Sequence, residues 1–167
     1  MKPLQSRTIL GIDPGTGRCG WAIIKSPSPS PQFPELVDCG CIETKANTSL
    51  PERLELIYKT VCDLIEKYHP TDLAIEELFF VKNIKTGISV SQARGVVILA
   101  AKQAKIPIFE YKPNEIKLAI TGYGHATKEQ MAKMIKLHLK GCNIKQDDTV
   151  DAAAVALHHL QISKLKM

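Results

Sequence analysis

No apolar stretch in this chain approaches the ~20 residues that a membrane-spanning helix needs, so no membrane partner is expected. The start, Met1-Lys2-Pro3-Leu4-Gln5-Ser6-Arg7, is polar and lacks the apolar core of a secretory leader. Five cysteines is an odd number without a disulfide-framework spacing, which suits a reducing cytoplasm. Cys39 and Cys41 form a C-x-C pair that no second pair answers; two strand residues pointing to one face is the plainer reading than a zinc site. The five histidines form no zinc pattern with carboxylates, and there is no internal repeat. What remains is an ordinary soluble composition, 44% hydrophobic and 23% charged over 167 residues, enough for one domain spanning 1–167 with a proper core.

The net charge is +5, with 22 Lys and Arg against 17 acids. That fits a polyanion partner without demanding one. If four of the acids are gathered in one site, the remaining surface is more basic than the total implies.

Four acids invite that assignment. Asp13 ends the apolar run Thr8-Ile9-Leu10-Gly11-Ile12, and Glu76 ends Leu73-Ala74-Ile75. Asp148 and Asp151 stand at the head of the Ala-rich stretch Asp151-Ala152-Ala153-Ala154-Val155-Ala156-Leu157. A carboxylate at the tip of a buried strand is costly unless a cation or donor answers it. Two such tips plus a helix start supply the all-oxygen ligand set that Mg²⁺ prefers. Clustered carboxylates holding divalent ions are a common means of cutting phosphodiesters. Asp148 and Asp151, three helical positions apart, share a face, and so would Asp147 and Asp151 at four. The pattern D-x-x-D-A favours Asp148 and leaves Asp147 as a helix cap.

The hydrophobic periods predict strands over 8–13, 20–25 and 36–42, with Pro14-Gly15-Thr16-Gly17 joining the first two as an antiparallel hairpin. A helix follows from Ser49, capped by Ser49 and Glu52, to Tyr68. A fourth strand covers Asp72 to Glu76, and an irregular loop covers 79–87. A helix over 88–105 carries a small-residue stripe at Ala93, Val97 and Ala101. The stripe suits a dimer interface or packing on the sheet equally. A fifth strand covers 106–111, a short helix 113–120, and Gly122-Tyr123-Gly124 a flexible break. Thr127 caps another helix that Gly141 ends, and the last helix runs from about 148 to 163. This order is a mixed α/β layout in which the two acid-bearing strands can lie side by side.

Gly11-Ile12-Asp13-Pro14-Gly15-Thr16-Gly17-Arg18-Cys19-Gly20 resembles the opening of the RuvC-type Holliday-junction resolvases. The likeness continues, in order, through Ala74-Ile75-Glu76-Glu77-Leu78-Phe79, Ser91-Gln92-Ala93-Arg94-Gly95, Phe109-Glu110-Tyr111 and Asp148-x-x-Asp151-Ala152. The resemblance implies a ribonuclease-H-like fold, a five-stranded mixed sheet flanked by helices. Its catalytic and metal-binding tetrad would be Asp13, Glu76, Asp148 and Asp151, and its cofactor Mg²⁺, two ions per site. The activity implied is paired symmetric cleavage of four-way DNA junctions in recombination and repair, alongside the RuvA and RuvB branch-migration proteins. The family's basic positions near the scissile strand look like Lys117 and Lys128, and its aromatic near the junction core like Phe79. Lys112 and Arg94 are further candidate DNA contacts. Two matched nicks from one acidic set per chain point to a C2 homodimer. The start Asp13-Pro14-Gly15-Thr16-Gly17 is also similar to the first phosphate loop of actin-like kinases, but the chain lacks the second copy those folds need. A binding module without catalysis gains nothing from acids placed against DNA. A nuclease of RNA–DNA hybrids is the nearest enzymatic alternative.

Overall fold

The computed structural model describes residues 6–26, 33–78, 84–141, 144 and 147–165. A five-stranded sheet has the order β3-β2-β1-β4-β5. Its strands are β1 (Thr8–Asp13), β2 (Arg18–Lys25), β3 (Glu35–Glu43), β4 (Asp72–Glu76) and β5 (Ile108–Tyr111). The first three form an antiparallel meander, while β4 and β5 run parallel to β1. Among the described residues five helices cover the two faces: α1 (Leu50–Tyr68), α2 (Ile84–Gln103), α3 (Pro113–Thr121), α4 (Lys128–His138) and α5 (Asp147–Leu165). Among the described residues no helix is long and apolar enough to cross a membrane.

Alternation along the strands sorts side chains between two cores. Leu10, Ile12, Ile23, Leu73 and Ile75 face α1 and α2, meeting Ile57, Val61, Leu64, Ala93, Val97 and Ala101. Ile9, Ala22, Ile24 and Ala74 face α5, with α3 and α4 adding Ile116, Ile120, Met131 and Ile135. Residues 152–160 of α5 are buried without interruption, so that helix is enclosed on all sides. Four of the nine are Ala, and their small volume decides how near the helix axis can come to the sheet. The sheet answers with glycine: a Cβ at Gly11 would stand 2.2 Å from the Ala152 carbonyl oxygen.

The caps form as their residues predict. The Glu52 carboxylate accepts from the Ser49 backbone N–H at 3.0 Å and from its hydroxyl at 2.7 Å. Thr127 and Gln130 exchange reciprocal bonds of 2.8 and 3.3 Å. Gly122 closes α3 at φ 76°, and the Thr121 hydroxyl accepts from Tyr123 N–H at 3.1 Å, so the Gly-Tyr-Gly break is a built turn.

Three expectations are corrected and one open alternative is decided. The second helix begins at Ile84, not 88, and ends at Gln103, where Lys105 turns to φ 59° and Ile106 N–H closes onto the Ala101 carbonyl at 3.0 Å. The fifth strand starts at Ile108 rather than 106, just past Pro107, whose ring offers no N–H to a ladder. Asp147 is the first residue of α5 rather than its cap. The stripe Ala93, Val97 and Ala101, which suited the sheet and a second copy equally, is fully enclosed within the chain and packs on the sheet.

Candidate active site

The register of the central strands places the first two acids. Ile12 pairs with Ile75, so Asp13 and Glu76 are the next residues on adjacent parallel strands, ~4.8 Å apart. Both point to the α5 side, as alternation from Gly11 and Ala74 requires. The head of α5 arrives above them because the sheet gives way there as well. A Cβ at Gly20, the register partner of Asp13, would lie 2.0 Å from the Asp148 carbonyl oxygen. Asp148 and Asp151 are thereby carried over the strand tips, in the first turns of the helix where its dipole favours negative charge.

The acids and the lysines beside them act on one another's charge. Burial, reinforced by the charges of Glu76, Asp151 and Asp148, pushes Asp13 up to about 8, with Lys128 opposing. Burial and Asp151 push Glu76 up to about 7, against Lys117. Asp151 is also raised, chiefly by burial, with Lys128 and Lys117 lowering it and Asp148 raising it. The four carboxylates therefore repel one another in a partly enclosed space. Asp148 rather than Asp147 faces inward: its side chain is 24% exposed, whereas that of Asp147 is 73% exposed.

Besides Lys117, two further cations answer the acids from the rim. Arg18 is bonded to the Asp148 carboxylate and, at 2.8 Å, to Glu43. Lys128 Nζ stands 3.9 Å from Asp151 and 3.8 Å from Asp147. Glu76 and Asp151 open onto a cleft whose far wall is Pro113, Ile116 and Lys117 of α3 with Lys128 and Met131 of α4. Among the described residues, no three of these side chains already surround one point as ligands do. In donor chemistry the set fits a hard divalent cation: oxygen only, with raised carboxyls whose repulsion such a charge would relieve.

A family model described as crossover junction endodeoxyribonuclease RuvC matches residues 9–159. The chain belongs to the RuvC family. It is 50% identical to the RuvC of Roseiflexus sp. over 155 residues, covering 92% of this chain and 90% of that protein. It is 49% identical to the RuvC of Brachyspira hyodysenteriae, covering 93% and 95%. Among solved structures, Thermus thermophilus RuvC in complex with a Holliday junction substrate superposes with a TM-score of 0.89 at 28% identity, covering 96% of both chains. The yeast mitochondrial Holliday junction resolvase shares the fold at 15% identity, with a TM-score of 0.68 over 95% of this chain and 80% of that one.

The other residues expected at the RuvC site fall into three groups. Lys117 and Lys128 line the acidic cleft. Lys112 is exposed at the cap of α3, outside that lining. Phe79 lies outside the described residues. Arg94, the remaining candidate DNA contact, has its guanidinium against Glu110 and the Glu76 backbone. Arg18 was not singled out, although alternation from Gly20 puts it on the acid face, which is the signal that could have found it. Nor were Gly11 and Gly20 read as the seat of α5, because a glycine in a strand does not announce what approaches it.

Proposed function

We propose that residues 1–167 act as one nuclease domain that resolves four-way DNA junctions in the cytoplasm by paired, symmetric phosphodiester cleavage. The convergence of Asp13, Glu76, Asp148 and Asp151 beside Lys117 and Lys128 carries this reading. Asp13, Glu76, Asp148 and Asp151 would hold Mg²⁺, two ions per site. Bound there, the metal would lower the pKa of a water and offset charge on the leaving 3′ oxygen, giving 5′-phosphate and 3′-hydroxyl ends.

The chain's own part is placement and charge. Asp13, on the central strand with the charges of the other three acting on it, would be one of the ligands. Glu76 fixes the adjoining position, and Asp148 and Asp151 close the set from α5. Lys117 and Lys128 draw the scissile phosphate to acids that would otherwise repel it, each phosphate contact steepening the salt dependence of binding. Arg18, paired with Asp148, would offset that charge when no cation is bound. Two matched cuts need two such sets, so a C2 homodimer is part of the proposal, as is cooperation with RuvA and RuvB.

The test is cleavage of a synthetic four-way junction with Mg²⁺ and with EDTA, end-labelled on each strand. Symmetric nicks that religate, appear only with the metal and vanish in Asp13→Asn are expected. Equal cleavage of an RNA–DNA hybrid and no preference for junctions would replace this reading with a general hybrid nuclease.

A further inference from the structure

Two of the motif segments, Ser91-Gln92-Ala93-Arg94-Gly95 and Phe109-Glu110-Tyr111, meet around the backbone of Glu76. Alternation along β5 puts Phe109 and Tyr111 on the α5 side, where both rings lie against His159. Glu110 therefore projects to the α2 side, in register with Ile75, the residue before Glu76. Arg94 reaches it from α2. Its guanidinium pairs with the Glu110 carboxylate, and its Nε donates to the Glu76 carbonyl oxygen at 3.3 Å. Only 19% of the Arg94 side chain is exposed. The Glu77 N–H, donating to the Tyr111 carbonyl at 2.8 Å, ties the same stretch to β5.

We propose that Arg94 and Glu110 are positioning residues that clamp the C-terminal tip of β4 and so hold the Glu76 carboxylate on the opposite side of the sheet. This rests on the nuclease reading above. The physical need is plain. Glu76 is the last residue of its strand, and repulsion from Asp151 works to push its carboxylate away. β4 is paired on both edges, but its register with β1 ends at Ile75 and only β5 reaches Glu76, so this last residue can pivot, and a displacement of ~1 Å at a reacting centre costs about 100-fold in rate. A planar guanidinium can serve the carbonyl and the carboxylate together, which an ammonium at a single point cannot do as well.

The experiment compares Arg94→Ala, Arg94→Lys and Glu110→Gln with the native chain, measuring kcat and KM for junction cleavage in Mg²⁺ and junction binding in EDTA across salt concentrations. Arg94→Ala should lower kcat by ~10–100-fold while KM and EDTA binding stay within about twofold. Arg94→Lys should recover part of the loss. If Arg94→Ala melts too low to assay, Glu110→Gln, on the more exposed partner, carries the test with a kcat loss of about threefold or more at constant KM. Weakened binding with a shallower salt slope and an intact kcat would make Arg94 a phosphate contact and overturn the clamp. So would native kcat in Glu110→Gln. A native chain inactive on junctions would instead sink the nuclease reading; an active one beside unaffected variants sinks the clamp alone.

Discussion

Gly20 lies directly beneath the backbone of Asp148: a Cβ there would stand 2.0 Å from the Asp148 carbonyl oxygen. The head of α5 can reach the strand tips only because that side chain is missing. Gly20→Ala must lift the helix start, since a backbone oxygen cannot move without the turn that bears it. We expect a loss of ~100-fold in junction cleavage, from misplacement of the third and fourth acids, and about 1–3 kcal/mol of stability from overpacking. Cleavage assays beside a thermal melt check it. A native rate in Gly20→Ala would mean that the seat of α5 does not govern the site.

Asp147 and Asp148 are neighbours with opposite surroundings, and their isosteric amides should separate them. Asp148 adds to the repulsion that raises Asp13 and is met by Arg18, whereas Asp147 faces solvent and Lys128. Asp148→Asn should cut kcat by ~100-fold or more, while Asp147→Asn should stay within about threefold. Should Asp147→Asn be the inactive one, the register of the α5 head assigned to the metal is wrong.

Much of this arrangement was legible in the residues because local signals agreed with one another. Asp13 and Glu76 each close an apolar run, and a hairpin turn after Asp13 followed by a crossover to Glu76 leaves few ways to place their strands except together. The Ser49–Glu52 and Thr127–Gln130 caps were legible for the same reason: each is complete within four residues. Contacts between distant elements were not. Nothing adjacent to Arg94 reveals that its partners are Glu110 and a backbone carbonyl at Glu76, so its charge alone suggested DNA. The small residues at Ala93, Val97 and Ala101 could serve either a sheet or a second copy, and only the third dimension chooses. The start of α2 at Ile84 was hidden because residues 84–87 carry no strong apolar period.

The raised carboxyls predict how cleavage and stability move in opposite directions with pH. Asp13 at about 8 and Glu76 at about 7 must lose protons before they can hold a cation, so the cleavage rate at fixed Mg²⁺ should climb from pH 6 to above 8. For the metal-free protein the sign reverses. The folded state binds more protons than the unfolded one between about 4 and 8, so stability falls as pH rises through that window. Asp13→Asn removes one of the repelling charges and should raise the melting temperature in EDTA at pH 8 by a few degrees, about 1 kcal/mol or more, while abolishing cleavage. Mg²⁺ should raise the melting temperature of the native chain and leave that of the variant nearly unchanged. An Asp13→Asn protein less stable than native at pH 8 would show that the acids do not repel as placed.

At the opposite end of β4, Asp72 should set the acid limit of the fold. It is only 3% exposed and sits in the fork of Arg7, with Nε at 3.1 Å and Nη2 at 2.8 Å, while the Thr71 hydroxyl donates at 2.7 Å. Burial pushes this carboxyl up, but His159, Thr71 and Arg7 together outweigh it and bring it down to about 2. A depressed carboxyl contributes stability that is complete above its unfolded value near 3.8 and is lost as pH falls toward 2, an effect of roughly 2 kcal/mol at neutral pH. Asp72→Asn also leaves Arg7 without its counter-ion, so the full cost at pH 7 should reach ~2–4 kcal/mol. Burial lowers His158, which destabilises the fold as pH drops below its unfolded value, but it does so in both proteins and cancels in their difference. Urea unfolding of the pair at pH 7 and near pH 2.5 isolates the carboxylate, with the gap between them shrinking at the lower pH. A gap that stays constant would mean that Asp72 holds β4 and β1 together through packing and not through its charge.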